Sequence, residues 1–290
     1  MNRNVIISTD SGCDLGKKLL NELNVPFIKM RYCDSDECYP DTQDEAKTKE
    51  FYKKMRNGVI YKTTSIVPDE AYEFFNNICC DDLPIIHISL GSAISSTYNN
   101  VLKAKQMLNN ENKKNKIYVI DSLGASICYG LLVLEAVKMR DQGFKAEEIV
   151  EKIENIKRGV TPIYTTPTLE YLRKSGRISN FNYFIGNILS IKPILKLDEN
   201  GKLFIATKTN GIKNTYSKII NLIKDAVIDP NEQILYIGHG DNIDEAKKLG
   251  ELIMNNINFK EVRYSLIGPT IGSHSGPDLL CAYFFGKNRK

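Results

Sequence analysis

The sequence lacks a long apolar run. Its longest, residues 127–137, is broken by Gly130 and Glu135 and falls well short of the roughly 20 residues of a membrane-spanning helix, so none is expected. A block of basic residues is also missing. The net charge of +4 is spread along the chain and leaves no nucleic-acid footprint. Repeats and low-complexity segments are absent. The N-terminus enters a strand pattern without the layout of a signal peptide, which makes the cytoplasm the expected location. The seven cysteines form an odd set with no His or Cys partner at metal spacing. Cys33 and Cys38, and the adjacent Cys79 and Cys80, therefore read as small buried hydrophobes or stray thiols, with no disulfide framework and no metal site. Catalytic signatures are missing too. Without a Gly-x-Ser-x-Gly elbow a serine hydrolase has no nucleophile setting, and neither a Walker loop nor a Gly-x-Gly-x-x-Gly run occurs.

What is present is ordinary for a globular protein: 42% hydrophobic and 26% charged residues in a chain of 290, long enough for two domains with real cores. Residues 5–7 read as a strand ending in the polar turn 8–12, followed by a helix over 15–23 and an extended segment over 25–32. Residues 33–43 look like a surface loop, 44–57 a helix stopped by Gly58, and 59–63 an extended stretch. Pro68 opens a helix with Ala71, Phe74, Phe75 and Ile78 on one face. The isoleucine-rich run 84–89 reads as a buried strand, and a helix starts near Thr97. After a charged linker over 109–116 come a strand over 117–120 and helices over 125–141 and 147–156. This alternation predicts an N-terminal α/β domain over 1–159, a parallel sheet with helices on both faces. The pattern changes near Val160. A strand over 160–164, a helix over 168–174 and a short apolar segment over 182–189 precede a hairpin, 191–197 with 203–207, turning at Asp198-Glu199-Asn200-Gly201. Helices over 212–226 and 242–256, strands over 234–238 and 262–266 and a final apolar run over 279–285 predict an α+β domain over 160–290.

In open α/β sheets ligands lie beyond the carboxyl ends of the strands. Four segments are assigned to that edge: 8–12, Thr63-Thr64-Ser65, 91–97 and Asp121-Ser122. They share hydroxyls, two aspartates and almost no bases. Each alone is an ordinary turn or helix cap; together, with the helix start at Thr97, they offer convergent donors that suit an anion. Hydroxyls without an adjacent base do not make a nucleophile. They do make a cradle for a carboxylate, and neutral donors leave its oxygen able to attack phosphorus. The second half adds residues 268–277, dense in glycine and proline, read as a rigid loop around a functional His274. His87 within its strand reads as a core residue, and His239 as a turn residue that could also line a pocket.

Thr9-Asp10-Ser11, Thr64-Ser65, residues 92–98, Ile120-Asp121-Ser122, residues 169–178 and residues 272–277 occur in the order and spacing of DegV family proteins. The chain resembles that family over nearly its whole length, and members are similar to the fatty acid-binding subunit of the bacterial two-component fatty acid kinase. The resemblance implies a DegV-like two-domain fold with an acyl chain buried in a tunnel at the domain junction. The first domain would hold the carboxylate; the second would cover the tail and supply His274. A separate ATP-dependent kinase subunit would phosphorylate the carboxylate to an acyl phosphate. The chain itself would be a carrier, not catalytic alone and without a cofactor. Matched by position, the family's carboxylate-binding threonine is Thr64, with Thr63 as its alternative. Its serine is Ser95, followed here by Ser96-Thr97 in place of Gly-Thr, and its histidine is His274. Asp10, Ser11, Asp121, Ser122 and Gly272 fall in the supporting motifs. Arg173 and Arg177 match a Leu-Arg-x-Gly-Gly-Arg segment, where kinase docking and a helix C-terminal charge pair are both open. The sequence departs from the family at Ile66-Val67, in place of Gln-Pro, and at Ala93-Ile94, in place of Gly-Leu. A basic stretch after the hairpin is reduced to Lys208 and Lys213. Residues 184–189 are the candidate tunnel lining, with a plain core helix as the alternative. The second functional reading is an enzyme, a small-anion phosphotransferase or hydrolase with His274 as general base.

Overall fold

Apolar runs bounded by polar turns become strands here, and stretches with apolar residues three and four apart become helices. A computed structural model describes residues 4–79, 83–110, 116–178 and 191–290. The apolar segment 182–189, including the candidate tunnel lining, lies outside the described residues. The first half runs β1 (Ile6–Asp10), α1 (Lys17–Glu22), β2 (Phe27–Ile28), β3 (Arg31–Cys33), β4 (Cys38–Pro40), α2 (Glu45–Arg56) and β5 (Lys62–Thr64). It continues with α3 (Pro68–Ile78), β6 (Ile85–Ser89), α4 (Thr97–Asn110), β7 (Ile117–Asp121), α5 (Ile127–Asp141) and α6 (Ala146–Ile156). The second half holds β8 (Val160–Thr165), α7 (Glu170–Lys174), β9 (Ile191–Leu197), β10 (Leu203–Asn210) and α8 (Ile212–Ala226). It ends with β11 (Ile234–His239), α9 (Ile243–Met254), β12 (Glu261–Leu266), α10 (Pro269–Ser275) and β13 (Leu280–Phe285).

The first sheet is parallel, in the order β2-β1-β6-β7, with Ile6 opposite Ile85 and Ile85 opposite Ile117. The second has six strands in the order β10-β9-β8-β13-β11-β12, antiparallel except for the β11–β12 pair. Strands of the first all precede residue 160, and those of the second begin at Val160 or later. The α/β class read from the alternation holds. α5 lies between the two sheets, against β1 and β6 on one side and β8 and β13 on the other. That position explains why 127–137 is apolar around the whole helix: Ile127, Tyr129, Leu132 and Val133 are all fully buried. No helix among the described residues is long and apolar enough to cross a membrane.

A third, three-stranded antiparallel sheet, β4-β3-β5, was not read from the sequence and corrects it three times. Residues 33–43 are not a plain loop, because β3 and β4 form a hairpin within them. Cys33 and Cys38 face each other in register and form a disulfide, not stray thiols. Antiparallel pairing brings opposed side chains to bonding distance whatever the total number of cysteines. Thr63 and Thr64 sit on β5 of this small sheet, so they do not belong to the edge of the parallel one. A fourth correction concerns residues 268–277, which contain the helix α10 in place of a rigid loop. Pro269 stands at its first position, and Gly276 ends it at φ +81°, a positive φ that favours glycine.

Candidate functional site

Three elements converge between the sheets. β5 alternates its side chains, so Thr63 is half-buried while Lys62 and Thr64 are exposed. Thr63 Oγ1 lies 2.6 Å from His274 Nε2 on α10. The Nδ1 atom of His274 is buried and has no hydrogen-bond partner among the described residues. Burial, helped by the nearby Arg177 guanidinium, pushes the His274 imidazole down to about 4, so at pH 7 it is neutral, with one donor and one acceptor nitrogen. The third element is the loop from β6 into α4. There Ser95 Oγ donates to Thr97 Oγ1 at 2.9 Å and accepts from the Thr97 N–H at 3.2 Å, holding the start of α4. Ser96 Oγ and Ser65 Oγ are 2.7 Å apart and tie this loop to the end of β5. Arg177, beyond α7, donates from Nε to the Ile94 carbonyl at 3.3 Å, and burial lowers its pKa from the ordinary value.

Thr63, Thr64, Ser65, Ser95, Arg177 and His274 line one cavity, whose empty volume is about 900 Å³ with its open mouth included. Most of its wall is apolar and comes from both halves, with Met30, Leu90 and Ile94 on one side and Leu172, Leu197 and Leu203 on the other. Tyr164 and Tyr283 also line it. Strand alternation on a sheet face gave no reason to single them out.

The other residues read from the sequence do not line this cavity; they shape its loops. Asp10 is buried and accepts from the Gly12 and Leu90 N–H groups, at 3.1 and 2.9 Å, and from Tyr129 Oη. Burial raises its carboxyl pKa. Ser11 Oγ accepts from the Met30 N–H at 3.0 Å. Asp121 accepts from the N–H groups of Ser92 and Leu123, at 3.0 and 3.1 Å. Ser122 Oγ accepts from the Gly124 N–H at 3.3 Å. At Gly272 a Cβ would stand 2.5 Å from Tyr52 Oη, so the glycine lets α10 lie against α2. Arg173 is on α7. His87 is a core residue, within 3.1 Å of Ser8 Oγ, and burial pushes it down to about 3. His239 accepts from the Asn242 N–H at 3.2 Å in the turn after β11. A buried cluster of Asp14, Asp41 and Gln43 beneath the start of α10 was not read from the sequence, because its partners are more than 200 positions away. Among the described residues no group of three or more His, Cys, Asp or Glu is placed to hold a metal ion.

The family model described as "Uncharacterised protein, DegV family" matches residues 4–287. A DegV domain-containing protein of Clostridium perfringens is 30% identical over 287 residues, covering 98% of each chain. The solved structure of a DegV lipid binding protein from Thermotoga maritima superposes with a TM-score of 0.86 at 23% identity, covering 99% of this chain and 100% of that one. DegV from Bacillus subtilis, a fatty acid binding protein, superposes with a TM-score of 0.83 at 24% identity, covering 98% and 100%. The family match runs almost from end to end, and this chain belongs to the DegV family.

Proposed function

We propose that the chain binds a long-chain fatty acid, with the tail in the cavity between the two sheets, and presents the carboxylate to a partner kinase that converts it to an acyl phosphate. The observation that carries this reading is the joining of an apolar cavity, walled by both halves, to the Thr63–His274 pair, with Ser95 and Arg177 on the same wall. The fatty-acid and lipid binding of the Bacillus and Thermotoga relatives supports it. A tail of about sixteen carbons gains roughly 0.8 kcal/mol per buried methylene, about 12 kcal/mol before costs. A carboxylate adds about 1.5–3 kcal/mol for each charged hydrogen bond. The hydrocarbon supplies affinity; the polar groups supply position.

In this reading residues 1–159 hold the carboxylate, and residues 160–290 cover the tail and bring His274. The neutral imidazole and the Thr63 hydroxyl hold the head by hydrogen bonds, the Ser95 O–H turns from Thr97 to the carboxylate, and an oxygen keeps the electron pair that attacks phosphorus. Arg177, half-buried beside His274, answers the negative charge. Thr64 and Ser96 form the rim, and Arg173 on α7 is the docking candidate for an ATP-dependent kinase subunit in the cytoplasm. Ser95→Ala combined with Thr63→Val should cut acyl phosphate formed with a fatty acid kinase subunit by about 100-fold or more, with near-UV circular dichroism unchanged. Undiminished product removes both residues from the site. Turnover without a partner, with a histidine-like limb in its pH profile, would favour the small-anion enzyme that uses His274 as base.

A further inference from the structure

His274 stands at the end of α10, and the start of that helix is held by the opposite half of the molecule. Asp41 Oδ2 accepts from the Thr270 N–H at 3.2 Å and from Thr270 Oγ1 at 2.6 Å. Asp14 Oδ1 accepts from the Gly268 N–H at 2.9 Å. Gln43 joins the two carboxyl groups: its N–H donates to Asp41 Oδ1 at 3.1 Å, and its Nε2 lies 3.4 Å from Asp14 Oδ1 and also donates to the Ser11 carbonyl. Just upstream of α10, Tyr52 Oη donates to the Ile267 carbonyl at 3.0 Å. Asp14 and Asp41 are each 1% exposed, so these bonds are made out of contact with water. Burial raises Asp41 and pushes Asp14 up to about 8, so the cluster does not carry its full negative charge at neutral pH. The charge of Asp41 reaches both Asp10 and Asp14, and Arg177 is the charged group that reaches His274.

A helix of seven residues does not hold itself in place; tertiary contacts fix it. The small sheet supplies those contacts at both ends. Asp41 directly follows β4, Thr63 lies on β5, and both strands flank β3. The same sheet therefore meets α10 at Thr270 and again at His274, about 6 Å further along the helix at 1.5 Å per residue. There is no slack beneath. A Cβ at Gly268 would stand 2.8 Å from Asp14 Oδ1.

We infer that Asp41, backed by Asp14 and Gln43, is a positioning residue for the head-group histidine: it fixes the start of α10 so that His274 is held against Thr63 at the mouth of the cavity. The inference rests on His274 being a contact of the carboxylate. Histidine titrations of the lipid-free full-length chain, followed by NMR, test it, because the chain has only three histidines and His87 serves as an internal reference. In the unaltered protein His274 should titrate near 4. Asp41→Ala should release α10, admit water and raise that midpoint by about one pH unit or more, while His87 stays near 3. Thr270→Val should shift it the same way, and Thr270→Ser, which keeps the hydroxyl, should restore it. Thr270 itself lines the cavity, so affinity alone would not separate the roles and the titration does. Fatty-acid affinity should fall about tenfold in Asp41→Ala. A His274 midpoint unmoved in folded Asp41→Ala and Thr270→Val overturns the inference, and if Asp41→Ala does not fold the Thr270 pair decides. Failure of the unaltered chain to bind any fatty acid overturns the carrier reading instead, and leaves the His274 shift readable.

Discussion

His87 and His274 are both neutral at pH 7, and both make folding sensitive to acid. His87 is pushed down to about 3 from an ordinary 6.5 by burial alone. An imidazole with a lowered native pKa binds fewer protons folded than unfolded, so its stabilising contribution is complete above about 6.5 and is lost as pH falls toward 3. His274 adds to the same limb down to about 4. Asp14 acts the other way. Its carboxyl, raised to about 8, holds a proton more tightly in the fold, so stability is lost as pH rises from about 4 toward 8. Urea midpoints measured from pH 4 to pH 9 should therefore fall on both sides of an interior maximum. His87→Leu should flatten the acid side while lowering stability at pH 7 by about 1–3 kcal/mol, because Ser8 Oγ loses its partner. An unchanged acid limb in that variant would assign the slope to other groups. At this scale the sequence offered candidate hydroxyls and a histidine but not which way they face. Thr63 and Thr64 are adjacent, and the pleat of β5 turns Thr63 toward His274 and leaves Thr64 exposed. Nothing local to the pair reveals that choice, which depends on the register of β5 against β3.

At the scale of elements, α10 shows why residues 268–277 read as a loop. Glycine and proline usually break a helix, yet Pro269 starts this one and Gly276 ends it. Only Gly272 is interior, and it is there because α2 passes close by: its Cβ would also stand 2.9 Å from Tyr52 Cζ and 3.0 Å from Phe51 Cε1. Gly272→Ala should therefore cost about 1–3 kcal/mol by overpacking, measured by urea unfolding. An Ala variant of unaltered or raised stability would show that α10 does not rest on Tyr52. The small sheet was illegible for a related reason. Its strands have three residues each, too few for a period of two to show, and the Cys33–Cys38 pair becomes visible only once the hairpin does. The longer helices, with clear periodicity and stops such as Gly58 after α2, were legible within a residue or two, whereas the hairpin strand read as 203–207 runs on to Asn210.

For the whole molecule, alternation of strands and helices made the α/β class readable. The meeting of the halves was not readable, because the bonds that set it, Tyr52 to Ile267 or Asp14 to Gly268, join residues 215 and 254 positions apart. The cavity is a product of that meeting. A structure of the chain with bound palmitate tests the central claim most directly. The account predicts the carboxylate within about 3 Å of Thr63 Oγ1, Ser95 Oγ or His274, with the hydrocarbon between the two sheets beside Leu197 and Leu203. Palmitate bound anywhere else, or lying with its carboxylate away from these three residues, would contradict it.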